Sequence, residues 1–163
     1  TMRAWDVLRS ALAGAPNTAS LQVADARAET LLAAAERLTE RLEEQGGRRA
    51  LGVVNLCGRQ RMRSQRVAKE ALLAALVPNA ERSARLQHLL GEFEQGLAQI
   101  EAAPLSSPEI SAALAASRVG WLTLMRALRS ADAAAMAHAG DRLLEHLDGL
   151  TESCEHSLQM LLS

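Results

Sequence analysis

The sequence predicts an all-α fold, and three observations carry that prediction. Alanine and leucine dominate while aromatic residues make up 2% of the chain and tyrosine is absent, and β-branched residues are few, a composition that favours helix over strand. Apolar residues recur at helical spacing through every long segment. The four prolines, Pro16, Pro78, Pro104 and Pro108, all fall between those segments, where they end or begin helices without interrupting one. At 163 residues the chain is long enough for a well-buried core.

Taken in order, residues 3–14 form a short helix with Trp5, Leu8 and Leu12 on one side, stopped by Gly14 and Pro16. Thr18 or Ser20 can cap a long second helix to about Gln45, with Leu21, Leu31, Leu32, Leu38 and Leu42 among its apolar positions. Gly46-Gly47 then marks either a turn or a kink. The third helix runs from Arg48 to Val77 and ends before Pro78, whose ring disfavours helical backbone in the residue ahead of it. Asn79 can cap the fourth, whose buried stripe is Leu86, Leu89, Leu90, Phe93, Leu97 and Ile100, and Pro104 closes it. Ser106 or Ser107 followed by Pro108 starts the fifth, which reaches about Arg129. Asp132 opens the last, carrying Met136, Leu143, Leu144, Leu147, Leu150, Leu158 and Leu161.

Several function classes are disfavoured. A formal charge of −1 argues against a general nucleic-acid surface, and the arginines are not interleaved with aromatic residues. Trp5, Asp6 and Arg9 interrupt any signal-peptide pattern, and no window approaches a membrane span; the chain as given reads as soluble. Cys57 and Cys154 are too few for a disulfide framework and read as small buried apolar residues. His88, His138, His146 and His156 lack metal-ligand spacing and read as surface histidines. No glycine-rich phosphate loop or nucleophile motif occurs, so neither an enzyme nor a metal or cofactor is expected.

The chemistry concentrates in residues 55–69, NLCGRQRMRSQRVAK, which hold Arg59, Arg61, Arg63, Arg66 and Lys69. At about 100° per residue, Arg59, Arg63 and Arg66 share one face and read as solvated, with Glu70 placed for a surface i,i+4 pair with Arg66. Arg61 points elsewhere. Its neighbours along the helix are Val54, Cys57, Gly58, Ser64, Gln65 and Ala68, with no carboxylate among them. A guanidinium there without a counter-charge costs several kcal/mol, so either a carboxylate from another helix or a bound anion should meet it.

This segment closely resembles the P-box of the PilJ-type domain, the ligand-sensing region of type IV pili methyl-accepting chemotaxis transducers, and the related box of NarX-type nitrate/nitrite sensors. The residues that carry the resemblance are Asn55, Gly58, Arg61, Met62, Ser64, Gln65 and Arg66. It implies an antiparallel four-helix sensor bundle, in which nitrate lies between two P-box helices related by a twofold axis and the arginine of the Arg-Met pair, here Arg61, is the principal ligand. A planar trigonal anion suits the parallel N–H pair of a guanidinium. Gly58 would let a second backbone approach, while Ser64 and Gln65 could add donors. Cys57 stands where a small residue such as alanine is common, and Arg63 where the pilus transducers usually have leucine, which makes this box more basic. The implied partners are a small anion, nitrate or nitrite, a second P-box helix from a homodimer or a tandem copy, and an output domain outside this chain. Such domains usually sense in the periplasm. The competing expectation is a helical protein–protein interaction module without a small ligand, which would depend on Arg59, Arg63 and Arg66 more than on Arg61.

A weak internal repeat suggests the organisation. Trp5 and Ala11-Leu12 line up with Trp121 and Ala127-Leu128, and Leu31-Leu32 and Leu38-Thr39 with Leu143-Leu144 and Leu150-Thr151, the two alignments differing by about one helical turn. Residues 1–46 are therefore expected to be a partial repeat, the last two helices of a first sensor unit, and residues 47–163 a P-box four-helix unit, the whole packed as one helical domain.

Overall fold

A computed structural model describes residues 2–14, 17–46, 49–103 and 107–162. Among these residues it contains six helices: α1 (Met2–Leu12), α2 (Thr18–Gly46), α3 (Arg49–Leu76), α4 (Ala80–Glu101), α5 (Pro108–Ser130) and α6 (Ala133–Leu162). The chain divides into two compact units, residues 1–48 and 49–163. None of its described helices is long and apolar enough to cross a membrane.

In the first unit α1 packs on α2, with Leu8 buried and Trp5 and Leu12 exposed. The α2 cap is Asn17, in place of the expected Thr18 or Ser20. Asn17 Oδ1 accepts from the Ser20 backbone N–H at 2.9 Å, and Ser20 Oγ accepts in return from the Asn17 N–H at 2.8 Å. That reciprocal pairing satisfies two otherwise orphaned donors. Pro16 and Gly47, expected to break the chain on either side, lie outside the described residues.

The second unit is a four-helix arrangement in which α3 packs on α4 and α6, and α5 packs on α6. Its helix starts follow the sequence closely. Asn79 accepts from the Arg82 N–H, Ser107 accepts from the Ile110 N–H with Pro108 next in line, and Asp132 Oδ1 accepts from the Ala135 N–H at 3.0 Å. The positions expected of Pro104 and Ser106 lie outside the described residues. Short connections at residues 77–79 and 131–132 make α3–α4 and α5–α6 hairpins.

Three contacts give the direction of the α3–α6 seam. Cys57 meets Cys154, Arg61 meets Asp148, and a Cβ on Gly140 would lie 2.9 Å from the Ala68 Cβ. Numbers rise along α3 as they fall along α6, so the two helices run antiparallel, and glycine at position 140 permits their close approach.

The core of this unit follows the predicted stripes of α4 and α6 in part: Leu89, Phe93, Leu97, Ile100, Met136, Leu143, Leu147, Leu150 and Leu158 are buried, whereas Leu86, Leu90 and Leu144 are half-buried, and Val67 of α3 and Leu124 of α5 join them. Val67, Phe93, Leu97, Leu124, Leu143, Leu147 and Leu150 are fully buried, each contributing roughly 1.5–3 kcal/mol through the apolar surface it removes from water. Phe93 of α4 stacks on Trp121 of α5 with ring centroids 4.3 Å apart, and Trp121 Nε1 donates to Glu94 Oε1 at 3.3 Å. The aromatic pair thus joins two helices whose backbones make little direct contact.

Candidate functional site

The basic segment occupies the middle of α3, the helix that packs against both α6 and α4. Of the two partners left open for Arg61, a carboxylate from another helix is present: Arg61 Nε pairs with Asp148 Oδ1 of α6. Both side chains are half exposed, at 45% and 41%. Arg61 therefore sits at the edge of the buried stripe formed by Cys57, Ser64 and Ala68, where water still solvates it. An ion pair this exposed is worth about 0–1 kcal/mol. The contact is an ion pair made through Nε and not a hydrogen bond, since Asp148 Oδ1 is buried and accepts none from the described residues; a guanidinium has five N–H donors in all, and its terminal amino groups can serve another acceptor.

The remaining residues of the resemblance separate into two groups. Asn55, Gly58, Met62 and Arg66 are half-buried and Gln65 is exposed. Ser64, in contrast, is fully buried, and its hydroxyl donates to the Arg61 carbonyl of its own helix at 2.7 Å. It is therefore not the outward-facing donor that its sequence position suggested. Among the described residues Gly58 does not serve a close contact either, because a Cβ there would meet nothing within 4 Å. The surface over Gly58 is open.

The expectation of a solvated arginine face needs correction. Arg59, Arg63 and Arg66 are all half-buried, and Arg63 Nη1 donates to Gln60 Oε1 at 3.2 Å. Glu70 is not part of a surface pair: it is fully buried, with Arg82 Nη1 at 3.1 Å from its Oε1 and Arg85 Nη1 at 3.9 Å from its Oε2. Both arginines come from the first turns of α4, so the carboxylate ties the start of that helix to the end of α3. Among the histidines, His88, His138 and His156 are exposed as expected, while His146 is half-buried beside Gly120.

Sequence reasoning missed a polar pin at the α3–α4 crossing. Gln60 is fully buried, and its Nε2 donates to the Phe93 carbonyl at 2.7 Å. Phe93 lies inside a helix, and its carbonyl has a second lone pair for this bond. Gly96 makes the room, since a Cβ there would collide with Gln60 Oε1 and stand 2.6 Å from Arg63 Nη1. The available signal was a glycine in mid-helix, which costs stability unless something packs against it.

The two cysteines are buried, as expected, but they are also neighbours. Cys57 Sγ of α3 donates to Cys154 Sγ of α6 at 3.6 Å. Holding that proton in the hydrogen bond, together with burial, pushes the Cys57 thiol well above the ordinary thiol range. Accepting the bond draws Cys154 downward, against the opposing effects of burial and of Glu155.

With this geometry in place, comparison with known proteins adds one result. Neither a curated protein nor a solved structure matches the chain. Residues 45–146 match the family described as type IV pili methyl-accepting chemotaxis transducer N-terminal region, which covers α3, α4, α5 and the first half of α6. More than half of the chain is matched, including the whole basic segment with Arg61, while Asp148 lies just beyond the matched residues, and the chain therefore belongs to the PilJ family, a family of sensory and signalling domains.

Proposed function

We propose that this domain senses a small oxyanion, nitrate or nitrite, at Arg61, and that Asp148 is the internal counter-charge which the anion displaces. The observation that carries the proposal is the half-exposed ion pair between α3 and α6 on the basic segment. Because such a pair contributes about 0–1 kcal/mol, an anion can exchange with the carboxylate at low cost. The exchange removes a link between α3 and α6, and a small displacement of one helix along the other carries the signal to an output domain. Asn55, Met62, Gln65 and Arg66 flank Arg61 on the same helix and would complete the ligand's surroundings. Ser64 supports the site indirectly, through its hydrogen bond to the Arg61 carbonyl. The open surface over Gly58 suits the approach of a second P-box helix, from a second copy of the chain or from a tandem unit, which would bring a second arginine to the anion. The half-burial of Arg59, Arg63 and Arg66 weighs against a protein-docking surface built on those three. The domain has no catalytic role in this scheme.

Titration calorimetry with nitrate, nitrite, sulfate and chloride at fixed ionic strength tests the proposal on the wild type, Arg61→Ala and Asp148→Asn. Saturable nitrate or nitrite binding is expected in the wild type and should vanish in Arg61→Ala. Asp148→Asn should bind about fivefold more tightly, the equivalent of removing a competitor worth about 1 kcal/mol. Absence of saturable binding to every anion, or binding indifferent to Arg61, would overturn it.

A further inference from the structure

Cys57 and Cys154 are the only cysteines in the chain. They are far apart in sequence, yet their sulfurs lie 3.6 Å from one another on facing helices, with neither side chain exposed. Both thiols are free. A disulfide has a bond length of about 2.05 Å, so these sulfurs stand at van der Waals contact, and a change of rotamer at either cysteine moves its sulfur farther than the remaining gap. Their position matters as much as their proximity. Cys57 lies one turn before Arg61 on α3, and Cys154 less than two turns after Asp148 on α6, so a bond between them would close the same seam that the ion pair bridges.

We propose that Cys57 and Cys154 are a reversible dithiol–disulfide pair that, when oxidised by exchange with a low-molecular-weight disulfide, staples α3 to α6. The chemistry balances as two successive exchanges. The Cys154 thiolate attacks one sulfur of the disulfide RSSR, forming a mixed disulfide and expelling RS⁻, which takes up the proton Cys154 has lost. The Cys57 thiolate then attacks the Cys154 sulfur and expels the second RS⁻, which leaves as RSH with the Cys57 proton. The two cysteines together lose two electrons and two protons, and RSSR gains them as two RSH. The hydrogen bond assigns the roles: Cys57 donates it and keeps its proton, while Cys154 accepts it and is the sulfur better able to attack. Because both sulfurs are buried, exchange proceeds only when α3 and α6 part locally. Once formed, the bond fixes the register of the two helices. This inference is independent of the anion proposed above, since the bond can be detected with no ligand present.

The test uses the wild-type chain incubated with oxidised glutathione beside a sample kept in dithiothreitol, followed by thiol counting in denaturant, a non-reducing proteolytic digest read by mass spectrometry, and thermal unfolding. The expected results are loss of both titratable thiols, a mass lower by two hydrogen atoms, and a Cys57 peptide linked to a Cys154 peptide. Closing so long a loop should raise Tm by roughly 10 °C over the reduced chain. Cys57→Ser should lose the oxidation-dependent rise in Tm, and the linked wild type should show slower amide exchange along α3 and α6. Two thiols surviving the treatment, or glutathione adducts and intermolecular links in place of the Cys57–Cys154 peptide, would overturn the proposal, as would a linked chain whose Tm and amide exchange equal those of the reduced one.

Discussion

Glu70 offers the sharpest separation between what a surface residue and a buried one contribute. Its side chain is 1% exposed, its partner Arg82 11% and its second partner Arg85 35%. Removing one member of a buried ion pair leaves the other desolvated without a counter-charge, at about 3–5 kcal/mol. Arg85 can turn toward water, so Arg82 carries most of the loss, and Glu70→Ala is expected near the lower limit, about 3 kcal/mol. In urea, with a slope near 1.5–2 kcal/mol per molar, the midpoint should fall by roughly 1.5–2 M, and Tm should drop by about 10 °C. Glu70→Gln keeps the shape and an acceptor for Arg82 and should lose less. Equilibrium unfolding followed by far-UV circular dichroism measures both variants. An exposed i,i+4 pair would contribute only about 0.3–0.5 kcal/mol. A loss below about 1 kcal/mol in Glu70→Ala would therefore refute the assignment of Glu70 as the buried anchor of the α3–α4 corner.

Two further substitutions probe the same unit. Gly96→Ala should destabilise by about 1–2 kcal/mol, because overpacking against Gln60 and Arg63 exceeds the helix propensity gained; placing it in a Gln60→Ala background should restore at least about 1 kcal/mol, as a double-mutant cycle would record. Ala131 closes α5 in the left-handed region at φ 53° with its N–H bonded to the Leu128 carbonyl, so Ala131→Gly should stabilise by about 0.5–1 kcal/mol in thermal or denaturant unfolding, through relief of the Cβ crowding.

The helices were legible because their signals are local. Asn79, Ser107-Pro108 and Asp132 are caps whose side chains reach backbone only three residues away, and the structure uses each of them. The leucine stripe of α4 and α6 needed only a period to be recognised. Tertiary partners follow no such rule. Helical projection set Arg61 apart from the other arginines but could not supply Asp148, because nothing in the sequence states which α6 residue lies opposite. The same limit applies to Glu70. A carboxylate four residues after an arginine looks like a surface pair until a neighbouring helix brings Arg82 and Arg85 over it. Gln60 was passed over because a glutamine amid arginines reads as solvent-facing, and only the α4 backbone, opened by Gly96, makes it interior. The cysteine pair was hidden for the same reason, since its two members meet only through the antiparallel register of α3 and α6.

The placement of the two tryptophans has a consequence for watching this protein at work. Trp121 is 3% exposed and stacked on Phe93, whereas Trp5 is 47% exposed in the other unit, and the chain has no tyrosine. Each unit thus carries a single indole emitter in a different environment, one dry and aromatic, the other wet. Their fluorescence separates by wavelength and by access to an aqueous quencher such as iodide. Light from the buried indole reports on the α4–α5 contact, while quenchable light reports on α1, so the two halves of the chain can be followed separately in one cuvette without a label.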